Sequence, residues 1–151
     1  MPFPLGPISG ITKLIKIKDH SAAGTSPITS SAIDMDQDGG YDGALIFTSF
    51  GTPATNNVMK AQQSDDDGSS DAYSDLLGSQ TIPGASDEDV WIEVFRPTKR
   101  YLKVIATPGT SSTVESIWAL LYGARDTNNV TNQVTGTIIG TQLISPAEGT
   151  A

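Results

Sequence analysis

The sequence predicts an all-β domain: an antiparallel β-sandwich, jelly-roll-like, with an immunoglobulin-like sandwich as the alternative topology. Three observations carry that expectation. Short β-branched and aromatic runs recur along the chain with turn residues between them, the pattern of a sandwich or barrel. Glycine (15) and proline (9) are abundant, together about 16% of the residues against a usual figure of about 12%. Charged residues make up only 17% of the chain, below the ~25% of an average domain, so its polar surface is largely Ser, Thr, Asn and Gln. At 151 residues the chain is expected to form one domain and to bury roughly two-thirds of its unfolded surface.

Residues 1–12 hold Pro2, Pro4 and Pro7 with Gly6 and Gly10. Proline fixes φ and offers no ladder donor, which predicts an extended arm outside the sheets. The core is expected to span residues 13–125. It opens with Lys13–Lys18 (KLIKIK), whose alternation of apolar and basic residues is the period of a half-buried strand. Thr29–Met35 supplies another short strand. Asp36–Gly43 (DQDGGYDG) is a turn by its local chemistry.

Ala44–Phe50 (ALIFTSF) is β-branched and aromatic and reads as a strand buried on both faces. After the break at Gly51-Thr52-Pro53, Asn57–Ser64 (NVMKAQQS) forms a strand with Val58, Lys60 and Gln62 on one face. Asp65–Gly84 is polar and acidic, a long ordered loop with one short strand, anchored by Tyr73, Leu76, Leu77 and Ile82.

Three strands follow in a row: Val90–Phe95, Arg100–Ala106 and Val114–Tyr122, joined by turn-competent RPTK and TPGTSST. Arg100, Leu102, Val104 and Ala106 share one face, as do Val114, Ser116, Trp118, Leu120 and Tyr122. Facing aromatic and β-branched pairs predict that these two strands pair as a meander. Helical spacing of Val114, Ile117, Trp118 and Leu121 offers a competing helix, but the segment is short and follows a Ser/Thr/Gly turn. Trp91 and Trp118 are expected in the core. Residues 126–151 are sparse in apolar side chains and read as an extended tail that orders against a partner surface.

Chemistry-bearing motifs are few. Cysteine is absent, which removes disulfides, thiolate metal sites and Cys nucleophiles together. His20 is the one histidine; its neighbours Asp19 and Ser21 are contiguous, whereas a triad converges from separate elements. No catalytic residue, cofactor site or metal site is expected. The sharpest candidate for a metal is Asp34-Met-Asp36-Gln-Asp38-Gly39, which reproduces the start of a calcium loop. Its twelfth position is Leu45 where a bidentate Glu belongs, so a turn between strands is the reading. A calcium-dependent carbohydrate-binding or host-attachment sandwich is the second one.

The formal net charge of −8 opposes binding to a phosphate backbone, and no apolar stretch approaches the ~20 residues of a membrane-spanning helix. The N-terminus has neither the basic nor the apolar region of a secretory signal, so a reducing compartment is expected. Charge is unevenly placed. Of seventeen acids, four lie in 34–42, five in 65–75 and three in 87–89, while four of nine bases lie in 96–103. Arg96, Lys99, Arg100 and Lys103 are therefore a candidate docking patch for an acidic partner surface.

Four segments carry a resemblance: IKDHSAAGTS (Ile17–Ser26), SDDDGSSDAYSDL (Ser64–Leu76), GASDEDVWIEVFRPTKRYLKVIATPGTSSTVESIWALLYGAR (Gly84–Arg125) and ISPAEGTA (Ile144–Ala151). In these the chain resembles small tailed-phage structural proteins encoded near major capsid proteins. The resemblance implies a head decoration (cement) protein, a β-sandwich made in the host bacterial cytoplasm and assembled, often as a homotrimer, on the outer surface of the capsid. The partners implied are the major capsid protein and further copies of the chain, with no nucleic acid and no membrane. Under that reading Phe3, Leu5 and Ile8 of the arm and Ile138 and Leu143 of the tail join the basic cluster as interface residues, ordered by strand addition to neighbours.

Overall fold

The computed structural model describes residues 8–51, 56–83, 89–130 and 148. The arm residues Phe3 and Leu5 and the tail residues Ile138 and Leu143 lie outside them. Eleven strands are described: β1 (Lys13–Lys18), β2 (Ser21–Gly24), β3 (Ile28–Thr29), β4 (Ile33–Asp34), β5 (Tyr41–Ser49), β6 (Val58–Ser64), β7 (Ser74–Asp75), β8 (Asp89–Phe95), β9 (Tyr101–Thr107), β10 (Ser112–Val114) and β11 (Ile117–Ala124). The only helical turns among the described residues are 3-10 segments at Ile8–Gly10 and Gln37–Gly39. No described helix is long and apolar enough to cross a membrane.

Every pairing is antiparallel. One sheet runs β1-β11-β5-β8, the other β3-β9-β6-β7 with β4 also on β9, and β10 pairs with β2 as a separate ribbon. Because β3 and β4 both lie on β9, they act as one interrupted strand. Setting the ribbon aside leaves eight strands, ordered first-eighth-third-sixth in one sheet and second-seventh-fourth-fifth in the other. That order is the jelly roll, which resolves the choice between the two expected sandwiches.

The core lies between the sheets. Ile46 and Leu121 from the first sheet meet Met59, Leu102 and Val104 from the second, all fully buried. Each such side chain contributes roughly 1.5–3 kcal/mol by leaving water. Core-facing residues alternate in β1 (Ile15, Ile17), β6 (Met59, Ala61) and β9 (Leu102, Val104, Ala106), as their sequence periods predict. No described buried side-chain nitrogen or oxygen lacks a hydrogen-bond partner.

Several expectations are corrected. The meander does not form: β8 pairs with β5, β9 with β6, and β11 with β1 and β5. The turn after β8 begins at Arg96, held at φ +50°, and carries the chain across the sandwich. Both strands then fill the same core from opposite sides, which alternation alone cannot distinguish from pairing. Residues 29–35 do not make one strand. The Ser30 hydroxyl accepts the Val104 N–H (3.0 Å), and the Ser31 N–H is donated across to Ile17 of β1 (2.8 Å), so the ladder to β9 breaks there.

The Asp36–Gly43 turn is shorter than expected, with β5 already begun at Tyr41. That strand is buried on one face only over Leu45–Ser49, where Leu45 is half-buried and Phe47 exposed. Segment 114–122 is not one strand: Val114, fully buried, ends β10, and β11 begins at Ile117, with Ile117, Ala119 and Leu121 buried. Neither Trp91 nor Trp118 is in the core: Val90 and Ile92 are buried and Trp91 points the other way, and half-buried Trp118 lies beside exposed Phe47 on that same outer side.

Candidate functional site

Two surfaces concentrate the chemistry. The first gathers the acidic loops and the basic turn at one side of the β9 strand. Ser64, fully buried at the end of β6, organises the 65–71 loop. Its hydroxyl donates to the Asp71 carbonyl (2.7 Å) and accepts the Gly68 N–H (2.8 Å). Asp66 accepts the N–H groups of Ser70 (2.7 Å) and Asp71 (3.0 Å), and Asp71 accepts that of Asp65 (2.8 Å). These bonds to the ionised form, that of the Asp71 N–H foremost, hold the Asp66 carboxyl below the usual carboxylate range.

The basic turn meets this loop inside the same chain. Lys99 donates to Asp71 and lies 3.6 Å from Asp65; the pair lowers the Asp71 pKa and raises that of Lys99. Arg100 makes a two-pronged contact with Asp34, Nε at 2.8 Å and Nη2 at 2.7 Å, which depresses the Asp34 carboxyl. Lys103 sits over the Tyr73 ring at 3.6 Å, and Arg96 over Phe95 at 5.1 Å. Of the four predicted docking cations, two are thus engaged by carboxylates and two by rings of the chain itself.

The calcium-like loop is dispersed in the same way. Asp34 faces Arg100, Asp38 accepts from Lys13 (2.7 Å) and from the Tyr41 hydroxyl (3.2 Å), and Asp36 lies 3.8–3.9 Å from Arg125 and Arg100. No three His, Asp or Glu side chains among the described residues converge on a metal position. His20 lies between β1 and β2 with Nδ1 3.1 Å from Glu115 and its side chain about half exposed. Ile8 is exposed in the 3-10 turn that enters β1.

The second surface is the outer face of the β1-β11-β5-β8 sheet. Trp91 (62% exposed), Phe95 (59%), Leu14 (40%) and Phe47 (38%) all project from it. Leu45, Trp118, Leu120 and Tyr122 fill the space between them, each half-buried. Phe95 and Tyr122 stack with ring centroids 6.5 Å apart over Gly43, where a Cβ would come within 2.3 Å of the Tyr122 ring. The Tyr122 hydroxyl donates to Glu93; burial pushes the phenol up to about 12. Sequence reasoning missed this face. The signal was present: Glu93 shares the Trp91–Phe95 side of β8, so that side faces water.

The edges of the two sheets differ. β1 carries Lys13, Lys16 and Lys18, and the outer strands of the other sheet are two residues each; lysine and brevity are both devices that discourage further pairing. β8 has neither. The Arg96 N–H donates to the Asp42 carbonyl (2.7 Å), which sets the ladder phase so that Val90, Ile92 and Val94 bond β5. The N–H groups of Trp91, Glu93 and Phe95 then point away from β5, toward a groove of about 700 Å³ shared with Leu76, Leu77 and Thr81, and no other described strand pairs with them.

Comparison with known proteins adds little. No family model matches the chain, and no curated protein matches it. Among solved structures, it is similar to one described as "Bacillus endospore appendages form a novel family of disulfide-linked pili", at 15% identity and a TM-score of 0.40, over 75% of this chain and 88% of that one. At that score the likeness carries no argument.

Proposed function

We propose that this chain is a non-enzymatic structural protein of a virion, docking on the outer face of the capsid as a decoration protein that reinforces subunit junctions. The observation that supports a binding role is the contrast between the two surfaces. The carboxylates and cations around β9 hold one another, whereas an aromatic sheet face is exposed. The resemblance in Ser64–Leu76 and Gly84–Arg125 supplies the class of partner, the major capsid protein, and the expectation of a homotrimer on the virion exterior. A chain without cysteine suits assembly in a bacterial cytoplasm. Many equivalent sites on a shell add avidity to a modest single contact.

Co-sedimentation with capsids lacking the protein tests this reading. Saturable retention at micromolar concentration is the expected result, and no retention overturns it. A chain lacking residues 1–12 keeps its β-domain and binds capsids more weakly; full binding without them removes the arm from the mechanism.

A further inference from the structure

We propose that residues 2–5 of one copy of this chain add as a strand to the free edge of β8 in a second copy. With the Arg96 N–H on the Asp42 carbonyl (2.7 Å), the ladder phase leaves the backbone groups of Trp91, Glu93 and Phe95 on the side away from β5. No other described strand pairs there, and neither lysine nor brevity protects this edge.

The donor segment is marked by its prolines. In Pro2-Phe3-Pro4-Leu5-Gly6-Pro7 proline recurs at positions 2 and 4, and proline has no N–H. Successive residues of an extended segment turn their backbone groups to opposite sides. One side of residues 2–5 therefore carries the N–H groups of Phe3 and Leu5, and the other carries none. Such a segment pairs along one side only, so it closes a sheet edge where an ordinary strand would extend it. Pro7 falls on the pairing side and ends the ladder at Leu5. The side chains agree with the backbone. Residues directly opposite in an antiparallel pair share a face, so Phe3 and Leu5 land beside exposed Trp91 and Phe95. Pro2 and Pro4 fall on the other side, over the groove lined by Leu76 and Leu77. Glu93, at the centre of the trio, stands opposite Leu5 in one register and opposite Phe3 in the register two residues away.

Reach decides which copy donates. The Thr12 N–H bonds the Ile8 carbonyl (2.9 Å), which keeps Ile8 one turn, about 6 Å, from the residue before β1. β1 and β8 are the outer strands of a four-stranded sheet, so a strand added to β8 lies four spacings, about 19 Å, from β1. Leu5 and Ile8 are three residues apart and span at most about 11 Å. The arm therefore falls short of its own β8, and a second copy supplies it. Repeated from copy to copy, this gives a two-fold exchange or a closed ring.

No capsid enters the test, which separates its outcome from that of the decoration reading. Sedimentation velocity follows the full chain from nanomolar to high micromolar concentration, and a dimer or ring forming with concentration is expected. The chain without residues 1–7, the arm variant Phe3→Ser/Leu5→Ser and the edge variant Glu93→Pro each run as monomers with unchanged circular dichroism. Proline at 93 removes only an N–H that β5 does not use. Mixed, the armless chain and Glu93→Pro form a one-to-one heterodimer, since one lacks only the donor segment and the other only the receiving edge. The chain has no cysteine, so mixing singly substituted proteins gives a second readout. Glu93→Cys oxidises to a disulfide with Phe3→Cys or Leu5→Cys of another copy and not with Pro4→Cys. A wild-type monomer at every concentration overturns the inference, as does association that survives loss of residues 1–7, which assigns the contact to another surface or to residues 131–151. Absence of both the heterodimer and the intermolecular disulfide overturns it equally.

Discussion

The charged side of the molecule and its aromatic face look alike in one respect: each concentrates residues that interfaces use. They differ in what those residues already touch. Around β9, Lys99 and Arg100 are committed to Asp71 and Asp34, and Asp66 and Asp71 to backbone N–H groups. On the outer face, Trp91 and Phe47 are exposed. A cluster of charge in a sequence therefore marks a place where the chain organises itself at least as readily as a place where it meets a partner. An aromatic alternating with an acid along a strand marks an open surface.

One core supports both regions, so the first way to break the comparison is to remove that support. Leu121, fully buried behind the face, is expected to cost 2–5 kcal/mol as Leu121→Ala, read by urea unfolding, with both regions lost in one transition. Ser64→Ala separates them. It leaves the Gly68 N–H and the Asp71 carbonyl without their buried partner and costs about 1–3 kcal/mol. Amide exchange then rises in 65–75 and stays unchanged in β8 and β11.

Smaller effects sharpen the contrast. Lys99→Met removes a partly exposed pair and costs no more than about 1 kcal/mol, with the loss shrinking as salt is added. Titration gives the same answer by another route. Asp34, Asp66, Asp71 and Asp75 all have depressed folded-state pKa values, so their contribution is present above the unfolded value near pH 4 and is lost as pH falls through the lower folded values. Acid is expected to loosen the 65–75 loop, monitored by NMR, before β8 and β11 change. Trp91→Ser, on the exposed face, is expected within about 0.5 kcal/mol of wild type at concentrations where the chain is monomeric.

How far the sequence carries the reader varies between these same elements. The strands β1, β5, β6, β8, β9 and β11 are legible because each alternates or is β-branched over six or more residues. The β2–β10 ribbon is not: Ser21–Gly24 has no apolar side chain larger than Ala and forms only because Ser112–Val114 lies beside it. Strand partners were out of reach, since a jelly roll pairs strands distant in sequence and alternation reports only which side is buried. The basic cluster was visible in the sequence, but its intramolecular carboxylates, up to 66 residues away for Arg100 and Asp34, were not. The aromatic face was visible in Trp91-Ile92-Glu93-Val94-Phe95 and was misread because tryptophan was weighted above the glutamate that shares its side.

Hydrogen exchange on the full chain, free and bound to capsids lacking the protein, tests the central claim most directly. The account predicts new protection concentrated in β8 and β11, with the 65–75 loop and the 96–100 turn unchanged. Protection that appears in the loop and turn while β8 stays as exposed as before would contradict it.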